Sequence, residues 1–229
     1  MADAIVKLDH VRKVYQQGKI EVVAVDDVTL TIDKGDFAAF CGPSGSGKTT
    51  ILNMVGMLDS PTAGKVVFEG KDISTLNRTA LSRLRKDRIG FIFQAYNLIP
   101  VLTAFENAEL VLELQGVPAA ERRTKVMGLM AEVGLQGMEH RRPDELSGGQ
   151  QQRVAIARAI ASEPALVLAD EPTANVDSDT ALAILDLMEK LNAERGVTFL
   201  FSTHDQKVME RARRIIRLHD GNVVADERR

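Results

Sequence analysis

A stretch in the first quarter of the chain has the residues of a loop that binds phosphate groups. It reads Gly42-Pro43-Ser44-Gly45-Ser46-Gly47-Lys48-Thr49-Thr50 and fits the pattern G-x-x-x-x-G-K-[ST]. Glycines let backbone N–H groups approach phosphate oxygens without interference from a Cβ atom. Lys48 would add positive charge near the β and γ phosphates, and Thr49 a hydroxyl ligand for Mg²⁺. The stretch therefore predicts a nucleoside triphosphate site.

Acidic residues that suit this chemistry follow a second apolar run. The run Leu166-Val167-Leu168-Ala169 ends in Asp170 and Glu171. Asp170 is the candidate partner for Mg²⁺ beside a phosphate loop, and Glu171 the candidate carboxylate for polarising an attacking water. His204 and Gln94 also follow apolar runs, and each alone would be an ordinary loop or strand-end residue.

The apolar patterns indicate the elements that must position these residues. The run Phe37-Ala38-Ala39-Phe40 predicts a buried strand that enters the loop, and a helix leaves it at Ile51. That helix would point its positive end at the phosphates. Further strands alternate with helices, which predicts an α/β fold with a mostly parallel sheet covered by helices on both faces. Residues 4–15 and two runs within 21–32 predict an N-terminal antiparallel β layer.

Between residues 97 and 145 the pattern of the sequence changes, because the apolar residues there have the spacing of a helix. We predict one domain over residues 1–229: a P-loop NTPase core from residues 1–94 and 146–229, and an inserted α-helical subdomain at 95–145. The length is ample for a buried core.

The composition indicates which kinds of partner and which cellular compartment to expect. Apolar residues make up 45% of the chain, charged residues 27%, and the net charge is −3, which gives no general attraction to nucleic acid. Cys41 is the single cysteine, so no internal disulfide or cysteine-based metal cluster is expected. The first residues do not resemble a signal sequence, and no apolar run approaches the ~20 residues that span a bilayer. We expect a soluble protein that reaches a membrane only through another chain.

The motifs, taken in order, resemble those of the nucleotide-binding subunits of ATP-binding-cassette (ABC) transporters. The most specific is Leu146-Ser147-Gly148-Gly149-Gln150, which looks like the signature loop of that family. The resemblance covers nearly the whole chain. It also includes Tyr15, Gln94, a D-loop-like Asn175-Val176-Asp177, and His204.

The resemblance implies a role for each matching residue. Tyr15 would stack on adenine, Gln94 would approach Mg²⁺ and water, and His204 would hold the γ-phosphate. Family members dimerise head to tail when they bind ATP. In that dimer each chain would contact the nucleotide bound by its partner, through Ser147, Gly148, Gly149, Gln150 and Asp177. ATP and Mg²⁺ are the implied cofactors, and the implied activity is ATP hydrolysis.

A finer resemblance is to the group of lipoprotein-release ATPases, MacB-type exporters and the cell-division ATPase FtsE. It rests on residues 58–64, 93–100 and 150–159. The group implies a separate integral-membrane permease, docked around Tyr96–Glu113, and a cytoplasmic position on the inner face of the cell membrane. Cys41 and Ala174 depart from the usual residues, and neither removes a catalytic group.

Four questions stay open at this point. One alternative is a regulator of a cell-division-type complex that transports nothing, and another is a soluble scaffold-assembly ATPase. DNA or ribosome relatives are less compatible, because they need a long coiled coil or two cassettes per chain. The transported substrate is not readable, and pairing with a related chain is an alternative to the homodimer.

Overall fold

The computed structural model describes residues 3–229 and divides the chain into two compact units. The first unit contains the described residues up to Arg85 together with Thr198–Arg229, and the second contains Lys86–Val197. Residues 95–145, which the sequence predicts as an inserted helical subdomain, lie within the second unit.

The first unit carries the phosphate-loop sequence and most of the strands. Its elements are β1 (Ala4–Gln17), β2 (Ile20–Asp33), β3 (Phe37–Cys41), α1 (Lys48–Val55), β4 (Ala63–Phe68), β5 (Lys71–Asp72), β8 (Thr198–Thr203), α7 (Gln206–Arg211), β9 (Arg214–His219) and β10 (Asn222–Arg228). Helix α2 (Arg78–Arg88) contains the division between the units.

Four strands of the first unit form the antiparallel layer that the sequence predicts. Their order is β2-β1-β4-β5. The prediction of two separate strand runs within 21–32 was wrong, because β2 is one continuous strand. Its pairing with β1 shifts register several times, and His10 and Asp27 both have positive φ. Bulges of this kind absorb extra residues without ending a strand.

The strand that enters the phosphate loop is central in the rest of the first unit. Strands there follow the order β10-β9-β3-β8, and β3 pairs in parallel with both β8 and β9. Every residue of β3 is buried. Phe37 packs against Phe199 and Phe201, with ring centroids 5.6 and 4.8 Å away. This packing anchors the first residue of the strand, and the loop departs from its other end, after Cys41.

The second unit combines two parallel strands with the helical segment. Its elements are β6 (Ile89–Ile92), α3 (Ala104–Leu114), α4 (Ala119–Glu132), a 3₁₀ turn (Pro143–Glu145), α5 (Gly148–Ile160), β7 (Leu166–Asp170) and α6 (Ser178–Arg195). Strands β6 and β7 pair from Ile89–Leu166 to Ile92–Ala169. The short β5 and the 3₁₀ turn are elements that the sequence analysis did not predict.

The two units confirm the α/β fold class. No helix within residues 3–229 combines the length and the apolar character needed to cross a bilayer.

Candidate functional site

The phosphate-loop sequence forms a loop between β3 and α1 in the first unit. Gly47 immediately precedes α1 and has φ of 97°. A Cβ atom at this position would lie 2.5 Å from the carbonyl oxygen of Ala24, so a side chain does not fit. The backbone conformation of the loop therefore depends on the glycine that the pattern requires.

The start of α1 differs from the starts of most other helices. Helices α3, α5 and α6 begin with side-chain caps from Thr103, Ser147 and Asp177. Helix α1 has no side-chain cap and no carboxylate in its first turn. The first N–H groups of a helix have no partner within the helix and favour an anion. This end of α1 fits a phosphate group.

Lys48 folds back over the loop. Its Nζ donates to the carbonyl oxygens of Gly42 and Pro43 at 2.8 and 2.9 Å, and only 8% of the residue is exposed. Within residues 3–229, the buried Ser46 Oγ has no hydrogen-bond partner. A buried ammonium on loop carbonyls and an unsatisfied hydroxyl give the loop polar groups that phosphate oxygens can engage.

His204 lies beside the beginning of the phosphate loop. It follows β8, and it lines a cleft of about 350 Å³ together with Cys41, Gly42 and Pro43. Cys41 pairs with Thr203 across β3 and β8, which brings the two strand ends level. Burial raises the pKa of the Cys41 thiol, so this cysteine is neutral near pH 7. The geometry places His204 near the loop, as its predicted role requires.

Tyr15 also belongs to the first unit and lies near the start of α1. Its hydroxyl donates to Asp59 Oδ2 at 2.8 Å, and the Thr50 side chain is close enough to act on the pKa of Tyr15. Tyr15 is 37% exposed, so part of the ring faces solvent. The predicted adenine-stacking residue and the end of the phosphate-loop sequence therefore lie close together.

The second unit links the Gln94 segment to the D-loop-like segment. The Asn175 side chain donates to the carbonyl oxygen of Gln94 at 2.9 Å, and the Tyr96 hydroxyl donates to the carbonyl oxygen of Asn175 at 2.9 Å. The sequence analysis did not identify Tyr96 or Asn175 as a pair. They are 79 positions apart, and no local pattern signals such a contact.

Arg158 reinforces the same region. Its guanidinium donates to the carbonyl oxygens of Tyr96 and Asn97 at 2.8 and 2.6 Å. Burial lowers the pKa of Arg158. Tyr96 and Asn97 both have positive φ, with values of 58° and 49°. The arginine satisfies carbonyl groups that this unusual backbone leaves outside regular structure.

The signature sequence forms the start of α5. Ser147 Oγ accepts from the Gln150 N–H at 3.3 Å, and Gln150 Oε1 accepts from the Ser147 N–H at 2.9 Å, so the two residues form a capping box. Gly148 and Gly149 pack tightly: a Cβ atom would lie 2.8 Å from Tyr96 Oη and 2.4 Å from Thr180 Cγ2, respectively. The glycines of the signature therefore lie against the Tyr96 segment and the first turn of α6.

The carboxylates of the second unit lie at the ends of two elements. Asp170 is the last residue of β7, and Glu171 follows with φ of 47°. Asp177 caps α6 by accepting from the N–H groups of Asp179 and Thr180. The Thr180 hydroxyl and backbone lower the pKa of Asp177, which keeps this cap ionised. Within residues 3–229, no three His, Cys, Asp or Glu side chains form a metal cluster.

A magnesium ion bound with a nucleotide does not need such a cluster. Mg²⁺ commonly uses one or two protein carboxylates and completes its shell with substrate phosphates and water. Thr49, in the first turn of α1, and Asp170, at a strand end, have ligand chemistry of this kind. Each of the two side chains has an oxygen of the kind that Mg²⁺ takes as a ligand.

Comparisons with known proteins agree with this arrangement. A family model described as ABC transporter matches residues 25–174. An uncharacterised ABC transporter ATP-binding protein of Thermotoga maritima is 45% identical over 98% of this chain and 96% of its own. The lipoprotein-releasing system ATP-binding protein LolD of Anaeromyxobacter dehalogenans is 45% identical, over 99% and 95%. The macrolide export ATP-binding/permease protein MacB of Hyphomonas neptunium is 45% identical over 99% of this chain, which spans 35% of that protein.

A solved structure is similar over nearly the full length. It is the dimeric ATP-binding cassette MJ0796 of Methanocaldococcus jannaschii in a post-hydrolysis state bound to ADP and Pi. The identity is 44%, the TM-score is 0.90, and the match covers 97% of this chain and 98% of that one. The P-loop NTPase fold and ATPase domain predicted from the sequence are confirmed. The chain belongs to the ABC transporter family, and it is an ATP-binding subunit with an ABC ATPase domain.

Proposed function

We propose that this chain hydrolyses ATP to drive a separate membrane permease of the lipoprotein-release or macrolide-export type. The observation that carries the proposal is the 45% identity with LolD along almost the whole length of both proteins. The substrate of the permease is not identified, because the proposed site residues bind the nucleotide and not the transported molecule. The regulatory, cell-division-type alternative is not favoured by the relatives described above.

The proposed chemistry assigns one task to each polar residue. Lys48 and His204 stabilise the γ-phosphate, and Glu171 orients and polarises the attacking water. Thr49 and Asp170 would hold Mg²⁺, and Gln94 would approach both Mg²⁺ and the attacking water. Bound Mg²⁺ would supply charge that offsets the developing negative charge on the phosphate oxygens. The uncapped start of α1 and the buried Lys48 support the phosphate-binding half of this proposal.

Two chains would complete each site in a nucleotide-dependent, head-to-tail homodimer. Ser147, Gly148, Gly149 and Gln150 open α5, and a helix start offers an anion site. A chain would present this start, with Asp177, to the nucleotide of its partner. The dimeric cassette with ADP and Pi supports the proposal by analogy.

The permease would dock on the segment Tyr96–Glu113, which places the chain on the cytoplasmic face of the membrane through its partner. Val101 is 72% exposed and Ile99 36% exposed. Buried Asn107 holds the loop beneath them, since its Nδ2 donates to the carbonyl oxygens of Ile99, Leu102 and Thr103. A firmly held loop with an exposed apolar side chain suits docking of an apolar helix.

The substitution Glu171→Gln tests the proposed chemistry. ATP binding should stay intact and turnover should fall by at least about a hundredfold, because general base assistance contributes roughly 10²–10⁴-fold. In the presence of ATP the variant should then accumulate as a dimer, which size-exclusion chromatography separates from the monomer. The matched control is Glu194→Gln, an exposed position on α6, which should hydrolyse ATP normally. Undiminished turnover in Glu171→Gln would remove Glu171 from this role.

A further inference from the structure

The segment 58–64 packs along β1 next to Tyr15. The Thr62 N–H donates to the carbonyl oxygen of Arg12 at 2.8 Å, and the Val14 N–H donates to Thr62 Oγ1 at 3.0 Å. Thr62 therefore holds the β1 backbone on both sides of Lys13. The residue that follows Val14 is Tyr15, so the segment restrains the strand directly before the tyrosine.

Asp59 connects the side chains of Lys13 and Tyr15. Lys13 Nζ donates to Asp59 Oδ1 at 2.6 Å and to the Ser60 carbonyl oxygen at 2.8 Å. The Tyr15 hydroxyl donates to the other carboxylate oxygen, Asp59 Oδ2, at 2.8 Å. The Lys13 side chain is only 12% exposed and that of Asp59 30%, so this ion pair is shielded more than an ordinary surface pair.

The same groups restrain the tyrosine ring itself. Lys13 Nζ lies 4.9 Å from the ring centroid, which is within the range of a cation–π contact. The hydroxyl at the tip of the ring donates to Asp59. The ammonium covers one face of the ring, while 37% of the residue stays exposed. A base would stack on the other face.

The charge states support this arrangement. Burial opposes ionisation of Asp59, but hydrogen bonds from Lys13 and Tyr15 lower the pKa of the carboxyl below its ordinary value. Burial and the hydrogen bond to Asp59 raise the pKa of Tyr15. The carboxylate thus stays an acceptor and the phenol stays a donor near pH 7.

We propose that Lys13 and Asp59 are positioning residues that hold the Tyr15 ring in the orientation that receives adenine. This inference rests on the proposed ATP site, and it gives the segment 58–64 a function. The two residues act through the tyrosine and not on the phosphates. They therefore strengthen the binding of adenine and not that of the phosphates. The reason is that a restrained ring loses little conformational freedom when a base stacks on it.

The test compares two ligands, ATP and inorganic tripolyphosphate, both with Mg²⁺, by titration calorimetry on the full chain. Lys13→Met and Asp59→Asn should each weaken ATP binding roughly three- to tenfold, the effect of one lost hydrogen bond. Tripolyphosphate binding should not change. Lys13→Arg keeps the cation and should stay close to wild type. The matched control is Arg12→Gln, which breaks an exposed ion pair with Asp26 on the same strands and should bind both ligands normally.

A double-mutant cycle distinguishes positioning from a direct contact with ATP. In a Tyr15→Ala background, Lys13→Met should weaken ATP binding no further, because its effect passes through the ring. An additive effect would overturn the proposal, as would unchanged ATP affinity or equal weakening of both ligands in a variant that thermal unfolding shows to be folded. Should Lys13→Met not fold, Tyr15→Phe decides the matter: it removes only the hydroxyl that Asp59 holds, and it should weaken ATP alone.

Failure of the proposed function would look different. Lys48→Ala should lose both ligands, since it removes a phosphate contact. If Lys48→Ala binds ATP normally, the phosphate-loop assignment is wrong. If Tyr15→Ala binds ATP normally while Lys48→Ala does not, the triphosphate site stands and the adenine platform, with its positioning residues, is excluded.

Discussion

At the scale of single residues, the structure contains a buried cation, Arg214, whose carboxylate partners stabilise the fold less as the pH becomes acidic. The Arg214 guanidinium, with its side chain 7% exposed, donates to both oxygens of Asp226 at 2.8 and 2.7 Å and to Asp36 at 3.0 Å. The hydrogen bond from Arg214 lowers the pKa of Asp226. A carboxyl whose pKa is lower in the folded state stabilises the fold above its unfolded pKa, about 3.9, and loses that contribution as pH falls through its folded pKa.

We expect Asp226→Asn to lower the free energy of unfolding by about 2 kcal/mol near neutral pH, less than the loss of a fully buried partner because Asp226 is a third exposed. The difference from wild type should shrink below about pH 4. Denaturant unfolding at several pH values measures both effects. Glu227→Gln is the control, since its pair with Arg217 is exposed on both sides and should contribute under about 1 kcal/mol. A loss that is independent of pH would contradict the linkage argument.

The sequence was most informative where a residue's role depends on its near neighbours. Lys48 and Gly47 follow from one spacing pattern, and Ser147 with Gln150 has the spacing of a capping box. The bonds of Tyr96 to Asn175 were beyond prediction, because they join residues distant in the chain and need the positive φ of Tyr96. Asp177 was assigned to an interface, and its role as a helix cap became visible only with the fold.

At the scale of elements, α5 and α6 of the second unit approach each other at a glycine. Gly149 leaves no room for a Cβ atom, which would lie 2.4 Å from Thr180 Cγ2. We expect Gly149→Ala to destabilise the chain by about 1–2 kcal/mol, since overpacking outweighs the better helix propensity of alanine. Thr180→Ser removes the methyl group and keeps the hydroxyl that donates to Asp177, so the double variant should recover the loss.

Thermal unfolding of the single and double variants measures this contact, and Gly128 supplies the control. Gly128 lies within α4, and no atom lies within 4 Å of an added Cβ. Gly128→Ala should therefore raise the free energy of unfolding by about 0.5–1 kcal/mol. Equal stability of Gly149→Ala and wild type would show that α5 can shift freely at this contact.

Periodicity predicted the helices and buried strands of the chain well, because each depends on a local apolar pattern. The irregular pairing of β1 with β2 was not predicted. A bulge is decided by side chains on two strands, as when His10 Nδ1 meets Asp27 Oδ1 at 2.7 Å, and a pattern within one strand does not reveal it. The prediction of two runs within residues 21–32 mistook this bulge for the end of a strand.

At the scale of the whole molecule, the assigned residues divide between the two units. Tyr15, the phosphate loop and His204 belong to the first, whereas Gln94, the signature sequence, Asp170 and Glu171 belong to the second. The phosphate loop leads into α1 and the signature opens α5, and we propose that both helix starts receive phosphate. In the proposed head-to-tail dimer these two helix starts come from different chains, which makes binding of ATP and association of chains one linked equilibrium.

Mixing two inactive variants tests whether the site belongs to two chains. Lys48→Ala removes the ammonium with which the phosphate loop contacts the phosphates. Ser147→Asp keeps a good helix cap but places a carboxylate next to the γ-phosphate bound by the partner. Each variant alone should hydrolyse almost no ATP. In a mixed head-to-tail dimer, one of the two sites has an unmodified Lys48 and an unmodified Ser147, so the mixture should hydrolyse ATP faster than the sum of its components. Phosphate release at several mixing ratios measures this. If Lys48 and Ser147 of the same chain served one nucleotide, every site in the mixture would carry a defect, and no activity would return.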